Sequence, residues 1–162
     1  MMDAIEMLEE QHRDVEDLFE EIADASGSDK EEIFAEIADQ LTIHAAIEEM
    51  HFYPAVKARQ TEDLLRESLE EHLAAKRVIA DLLDLDVKDP QFDAKVQVLK
   101  EMIQHHVKEE ESELFPKVRK LLSADELTSL AQEMSATQES LLDEDQPRQR
   151  VRDETGAAAP LT

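Results

Sequence analysis

LTIHAAIEEMHFYP, which runs from Leu41 to Pro54, and IQHHVKEEESELFP, which runs from Ile103 to Pro116, are two copies of one pattern. Each copy has a histidine, a glutamate four residues later, an aromatic residue and a proline. The aligned positions are His44 with His106, Glu48 with Glu110, Glu49 with Glu111, Tyr53 with Phe115, and Pro54 with Pro116. Residues four apart lie on the same face of a helix, so each copy presents an imidazole beside a carboxylate. A borderline metal ion accepts this pair of ligands.

The composition is typical of a helical protein. The chain has 162 residues with only two glycines and five prolines, which indicates helices rather than the turn-rich sequence of a β-protein. It has no cysteine, which excludes disulfides, zinc–thiolate sites and cysteine-ligated iron–sulfur clusters. The formal net charge of −24 disfavours nucleic acid and membrane surfaces as partners. We find neither a signal peptide nor a membrane-spanning run, and expect a cytoplasmic protein that is a monomer or a weak homo-oligomer.

Apolar residues at helical spacing predict four amphipathic helices joined by short turns. The first begins at the N-cap Asp3 and ends near Gly27, which suits a left-handed cap. The second begins near Asp29 and is kinked or ended by Pro54, and Asp89 caps the fourth. Four such helices favour an all-α, up-down-up-down antiparallel four-helix bundle.

The pattern of apolar residues divides the chain into three segments. Residues 1–122 are expected to form the bundle, and residues 123–142 an additional C-terminal helix opened by a capping box at Ser123. Residues 143–162 are polar and have no apolar period, so the sequence predicts a disordered tail there.

Two further histidines, His12 and His72, interrupt the apolar stripes of the first and third helices. In an antiparallel hairpin, residues equidistant from the turn lie at the same height. The turns lie about midway between His12 and His44 and between His72 and His106, so with a helix rise of roughly 1.5 Å per residue all four histidines share one level.

The donors at this level predict a metal site. Two carboxylates in one low-dielectric site repel each other unless they are protonated or bridged by cations. We therefore expect Glu48 and Glu110 to bridge two metal ions, with iron, manganese or zinc as the suitable metals. The predicted ligands are His12, His44, Glu48, His72, His106 and Glu110. The alternative is a metal-free acidic bundle with a satisfied polar layer that acts through protein partners.

Four other polar residues lie close to the predicted ligands in the sequence or on the same helical faces. His51 is a candidate for a ligand or for a residue that supports one, and His105, paired in sequence with Glu109, is expected to face solvent or to support a ligand. Tyr53 offers a phenolic oxygen, but a packing role like that of Phe115 is the favoured prediction. Lys76 is expected to extend its amine to solvent at the edge of its stripe.

These residues resemble the hemerythrin-like family, or HHE cation-binding domain, over about Glu6 to Leu122. The resemblance is carried by His12, HAAIEEMHFYP, EEHLAAK and HHVKEEESELFP. It implies two iron ions (Fe2+/Fe3+) with oxo or hydroxo bridges, held by the same six residues. It also implies that this centre binds or reacts with dioxygen, nitric oxide or peroxide. The implied roles are sensing, scavenging, or handling of iron and oxidative stress, with a peroxide-decomposing enzyme as the alternative. Oxygen-carrying members of the family have a further histidine where this chain has Lys76, so reversible oxygen carriage is not implied.

Overall fold

The computed structural model describes all 162 residues, and the chain is helical with no strand. Its α-helices are α1 (Ala4–Ala23), α2 (Gly27–Ile47), α3 (Tyr53–Val56), α4 (Glu62–Leu83), α5 (Pro90–Glu109), α6 (Phe115–Leu121) and α7 (Ala124–Leu142). Helix α1 packs on α2 and helix α4 packs on α5 as two hairpins, and α7 covers one end of the first hairpin. The predicted all-α bundle with an additional C-terminal helix is confirmed. None of the helices combines the length and the apolar character that crossing a membrane requires.

Turns of π-helix at Glu48–Phe52 and Glu110–Leu114 join α2 to α3 and α5 to α6. Each turn lies just before a proline, Pro54 or Pro116, which occupies the first turn of the next helix. A proline ring clashes with the carbonyl four residues earlier in a regular α-helix, and the wider π turn relieves that clash. Of the two predicted outcomes, a kink or an end, the helix end at Pro54 is not observed, since the chain stays helical as far as Val56.

The predicted helix caps are confirmed at three positions. The side chains of Asp3, Asp89 and Ser123 accept hydrogen bonds from backbone amides at the starts of α1, α5 and α7. Gly27 has the expected left-handed conformation, with φ of 58°. However, it begins α2 rather than closing α1, which already ends at Ala23.

The hydrophobic core is divided into two apolar clusters. The cluster beneath α7 contains 17 buried residues, among them Ile5, Leu8, Ile47, Phe52, Leu65, Leu69 and Leu114. The cluster near the hairpin turns contains 15, among them Val15, Phe19, Ile37, Leu41, Ile79, Leu82 and Leu99. On α1, His12 lies between Leu8 and Val15, and thus at the level where one cluster gives way to the other.

The C-terminal segment is ordered, so the prediction of a disordered tail over residues 143–162 is wrong. Residues Pro147–Asp153 form a 3-10 helix whose Val151 is fully buried in the cluster near the hairpin turns. The Arg148 guanidinium pairs with Asp39 of α2 at 3.1 Å. Scattered apolar contacts, such as those of Val151 and Leu161, and ion pairs have no sequence period, which is why hydrophobic patterning did not reveal this segment.

Candidate metal centre

Six polar side chains occupy the layer between the two apolar clusters. They are His12 on α1, His44 on α2, His72 on α4, His106 on α5, and Glu48 and Glu110 at the starts of the two π turns. None is more than 8% exposed. The structure therefore brings together all six residues that the sequence predicted as metal ligands.

The donor atoms form two groups of three. One group is His12, His44 and Glu110, and the other is Glu48, His72 and His106; within each group the donor atoms lie within 4.8 Å of one another. Two nitrogens and one carboxylate oxygen suit a borderline divalent ion such as iron, manganese or zinc.

Each carboxylate contacts histidines of both groups. Glu48 Oε1 lies 3.1 Å from His44 Nε2 and 3.2 Å from His72 Nε2. Glu110 Oε1 lies 3.2 Å from His12 Nε2, and its Oε2 lies 3.4 Å from His106 Nε2. Each carboxylate therefore lies between histidines of both groups.

An oxygen acceptor outside the centre orients each histidine. The pairs are His12 Nδ1 with Glu111 at 2.7 Å, His44 Nδ1 with Gln11 at 2.7 Å, His72 Nδ1 with Glu49 at 2.8 Å, and His106 Nδ1 with Glu71 at 2.8 Å. When Nδ1–H donates outward to such an oxygen, the Nε2 lone pair faces the centre. Histidines that bind metals characteristically have this second hydrogen bond.

Several buried atoms at the centre have no hydrogen-bond partner. They are Nε2 of His12 and of His44, both carboxylate oxygens of Glu48, and Oε1 of Glu110. Leaving such atoms unsatisfied in a protein interior is costly. A cation in each group would satisfy these lone pairs, so the donor set fits a metal centre.

The carboxylates and imidazoles shift one another's pKa. Burial lowers the pKa of His12, but the Glu110 and Glu111 carboxylates beside its ring outweigh burial and raise this pKa to about 9. Burial raises the pKa of Glu48, but the charge of His44 and the nearby His72 and His106 imidazoles hold it well below its ordinary value. Protons therefore compete with metal for these imidazoles, and metal binding releases protons.

Tyr53 takes part in the centre, so the favoured prediction of a packing role alone is wrong. Its side chain is buried, and its hydroxyl donates to Glu110 Oε2 at 2.7 Å. The Tyr53 hydroxyl oxygen also lies 3.2 Å from His72 Nε2. Burial, together with the charges of Glu110 and Glu48, raises the pKa of Tyr53 well above its ordinary value, so the phenol keeps its proton.

Lys76 is buried, contrary to the prediction that its amine extends to solvent. Its Nζ lies 2.9 Å from Glu49 and 2.9 Å from Glu154 of the C-terminal segment. Because Glu49 also accepts from His72, a chain of charged contacts runs from the C-terminal segment to the metal centre. The prediction failed because Glu154 is distant in sequence and is brought over Lys76 only by the ordered tail.

Replacing Lys76 by methionine is expected to destabilise the protein. The change leaves Glu49 with one cationic neighbour fewer in a buried position, which costs about 3 kcal/mol in comparable buried pairs. Lys95→Met is the matched control, since Lys95 makes an exposed ion pair with Asp81, and its effect should stay within about 1 kcal/mol. Urea unfolding of both variants measures the difference, and equal effects would contradict a structural role for the buried ammonium.

A small cavity adjoins the centre. Its volume is about 40 Å³, and all four histidines of the centre border it. Its other walls are Gln11, Val15, Leu41, Thr42, Ala45, Ala75, Lys76, Ile79, Ile103, Val107 and Val151. By volume this space suits about three water-sized atoms. The cavity therefore has room beside the histidines for a diatomic or triatomic ligand.

The remaining histidines lie outside the centre. His51 contacts Thr137 of α7 through a 2.6 Å hydrogen bond. The His105 side chain is 63% exposed and contacts Glu71 and Glu109, which confirms that it faces solvent. Helix α5 therefore uses the 106 and 110 register for the centre, as the alignment of the two repeats indicated.

Sequence reasoning missed the residues that orient the histidines. The alignment of the two copies pairs Glu49 with Glu111 without indicating a role for them, and Gln11 and Glu71 lie outside both copies. A signal was present, since Gln11 and Glu71 each directly precede the first histidine of a hairpin. These contacts join different helices, so their pairing needed the tertiary structure.

The geometry agrees with a comparison against known families. The family model described as the hemerythrin HHE cation binding domain matches residues 3–118. This chain belongs to the hemerythrin HHE cation-binding family. The matched residues include all six members of the centre, so a metal-binding role follows for this hemerythrin-like chain.

Two proteins similar to this hemerythrin-like chain differ in the share of their own length that it covers. A DNA nickase from Nostoc sp. is 29% identical over 131 residues, which are 80% of this chain but 37% of that protein. The chain thus spans little more than a third of that relative. The crystal structure of a hemerythrin HHE cation binding domain-containing protein from Mycobacterium kansasii covers 93% of this chain and 99% of its own, with a TM-score of 0.78 and 24% identity. This likeness shows the hemerythrin fold.

Proposed function

We propose that this protein holds two iron ions, one in each group of three donors, and reacts with or binds a small ligand in the adjoining cavity. Dioxygen, nitric oxide and peroxide are the ligand candidates, and the roles they suit are sensing, scavenging or the handling of iron and oxidative stress. The observation that carries the proposal is the layer of buried metal-donor atoms, several of them without a hydrogen-bond partner, that forms two groups between the two apolar clusters.

When bound, iron supplies redox chemistry and coordination positions for a small ligand. The residues of this chain orient the ligands, limit access by water and place hydrogen-bond donors near the centre. Glu49 and Glu111 hold the His72 and His12 rings in place. The apolar walls of the cavity, among them Ile79 and Val151, limit access by water. Tyr53 and Lys76 place O–H and N–H donors at the edge of the centre.

Metal analysis with an electronic spectrum tests the proposal. Protein reconstituted with ferrous iron and freed of excess metal should contain about two equivalents of iron by the count of donor groups. Less than one equivalent would refute it and leave the metal-free bundle as the alternative. Mixing the ferrous protein with dioxygen or nitric oxide should then change its spectrum. An unchanged spectrum with both gases and with peroxide would refute ligand binding.

Peroxide decomposition is a second candidate, favoured by the charged Lys76–Glu49 pair beside the centre. Decomposition converts two molecules of hydrogen peroxide into one of dioxygen and two of water, so groups that hold and exchange protons are needed near the metals. An oxygen electrode distinguishes this enzyme from a binding protein. Steady oxygen evolution supports catalysis, while a stable, reversible spectrum with dioxygen supports binding.

DNA nicking, named for the Nostoc relative, is not part of this proposal. This chain spans only part of that protein, and its net charge of −24 repels a phosphate backbone. We propose a small molecule, rather than nucleic acid or a membrane, as its partner.

The stability of the chelator-treated protein should fall as the pH rises from about 6.5 to 9. The pKa of His12 is raised in the folded protein to about 9 from an ordinary value of 6.5. Its stabilising contribution is therefore complete below 6.5 and lost as the pH passes 9. Bound metal needs the neutral imidazole, so metal affinity should rise over the same interval.

Thermal unfolding with and without metal at both pH values measures this effect. The gap in melting temperature between the two forms should be wider at pH 9 than at pH 6.5. His105→Ala is the control and should leave both trends unchanged, since His105 lies outside the centre. A gap that narrows with rising pH would contradict proton–metal competition at His12.

A further inference from the structure

The two hairpins place equivalent residues around the centre. His12 corresponds to His72 and His44 to His106, with one histidine pair for each metal position. The ring of the first histidine in each hairpin is held by a glutamate of the other hairpin, Glu111 for His12 and Glu49 for His72. These two contacts match in chemistry and in length, at 2.7 and 2.8 Å.

The equivalence breaks at the second histidine of each hairpin. Glu71, directly before His72, accepts from His106 at 2.8 Å. Its counterpart Gln11, directly before His12, contacts His44 through an amide oxygen at 2.7 Å. Three of the four histidines are thus held by carboxylates, and His44 alone by a neutral amide.

This difference bears on metal affinity. A carboxylate that accepts from Nδ1–H raises the basicity of Nε2 more than a neutral amide does, and it adds a negative charge near the ion. The other two carboxylates do not distinguish the positions, because each faces a cation: Lys76 pairs with Glu49 and Arg13 with Glu111. Among the four outer acceptors, the carboxylate-for-amide exchange between Glu71 and Gln11 therefore remains as the difference.

The same glutamine borders the outside of the protein. It lines the inner cavity and also a surface cleft of about 230 Å³ that contains Met7, Glu10, Asp14 and Gln138. Gln11 is consequently the wall between an acidic cleft and His44. Of the four outer acceptors, it alone borders that cleft.

We propose that the two metal positions are unequal, and that Gln11 is the positioning residue that makes them so. The Glu48–His72–His106 position fills first and holds its ion tightly. The His12–His44–Glu110 position is the weaker and more readily exchanged. This inference rests on the proposed metal centre and extends it by an order of filling.

Titration of the chelator-treated full-length protein with Zn2+ alone, in competition with a chromophoric chelator, tests the order of filling. Zinc is redox-inert, so affinity is read without reactivity. The wild type should bind two ions with affinities about 10-fold or more apart, the usual size of effects from such outer hydrogen bonds. Gln11→Glu should tighten the weaker step, whereas Glu71→Gln should weaken the tighter one.

Two controls separate the hydrogen bond from other effects. Gln138→Glu adds the same charge to the same cleft without contacting His44, and should leave both steps nearly unchanged. The double variant Gln11→Glu/Glu71→Gln exchanges the two acceptors and keeps the total charge. Crystals grown with one equivalent of zinc should show anomalous density at His72 and His106 in the wild type, and at His12 and His44 in the double variant.

The outcomes are distinguishable. Failure to bind zinc or iron in any form would refute the metal centre itself. Two ions of equal affinity, a first ion at His12 and His44 in the wild type, or equal effects of Gln138→Glu and Gln11→Glu would refute only the order of filling. The opposite directions expected for Gln11→Glu and Glu71→Gln keep the test decisive even if one variant folds poorly.

Discussion

Glu48→Ala is expected to remove most of the bound metal and the stability that metal supplies. The Glu48 side chain is fully buried, and its oxygens, which have no hydrogen-bond partner, lie between histidines of both groups. Losing one such ligand leaves the imidazoles without their shared anion, and breaking a buried charged contact costs about 3–5 kcal/mol. In a chain of this size that lowers the melting temperature of the metal-loaded protein by about 10 °C.

Metal content after desalting and thermal unfolding measure this effect. The neighbouring variants His106→Ala and His105→Ala provide a matched pair on α5. His106 is buried in the centre and His105 faces solvent, so the first should lose metal and the second should keep it. The reverse result would show that the helix uses the other register, and retention of two ions by Glu48→Ala would contradict the bridging role.

Val151→Asp is expected to detach the C-terminal segment from the bundle. Val151 is fully buried, and it is the residue of the 3-10 helix that lines the cavity beside the centre. Burying an aspartate there forfeits the apolar contact and places an unpaired charge in the core, so the segment should release instead. The free energy of unfolding should fall by about 3 kcal/mol, because the buried valine contacts are lost. With the cavity uncovered, the centre should release its metal faster to an external chelator.

Val98→Asp is the control for this substitution. Val98 lies on α5 with 48% of its surface exposed, and the same change there should alter stability by less than about 0.5 kcal/mol. Urea unfolding and the rate of metal transfer to a chelator compare the two variants. If Val151→Asp released metal no faster than Val98→Asp, the segment would not shield the centre.

The outward-facing contacts fix the orientation of the four histidine rings. Each histidine has one nitrogen held by an oxygen acceptor, which leaves the other nitrogen directed at the centre. Rings oriented in this way lose little further freedom when an ion binds. The π turns add to this order, because they place Glu48 and Glu110 at the same relative position in both hairpins.

Local periodicity in the sequence determined the helical bundle and the six residues of the centre. Residues such as His44 and Glu48 are four apart on one helix, and their partnership follows from helix geometry alone. His12 and His72 were found because each interrupts an apolar stripe at a matched height. Repetition of the pattern in two hairpins made these inferences possible without any knowledge of contacts.

Only the tertiary structure decided which residues surround that centre. The contacts of Gln11 with His44, Glu71 with His106 and Glu154 with Lys76 join segments far apart in sequence. Ion pairs and single hydrogen bonds of this kind leave no periodic trace, because one suitably placed side chain is enough to form each of them. The order of the C-terminal segment and the burial of Lys76 depend on such contacts, and so appear only once the chain is folded.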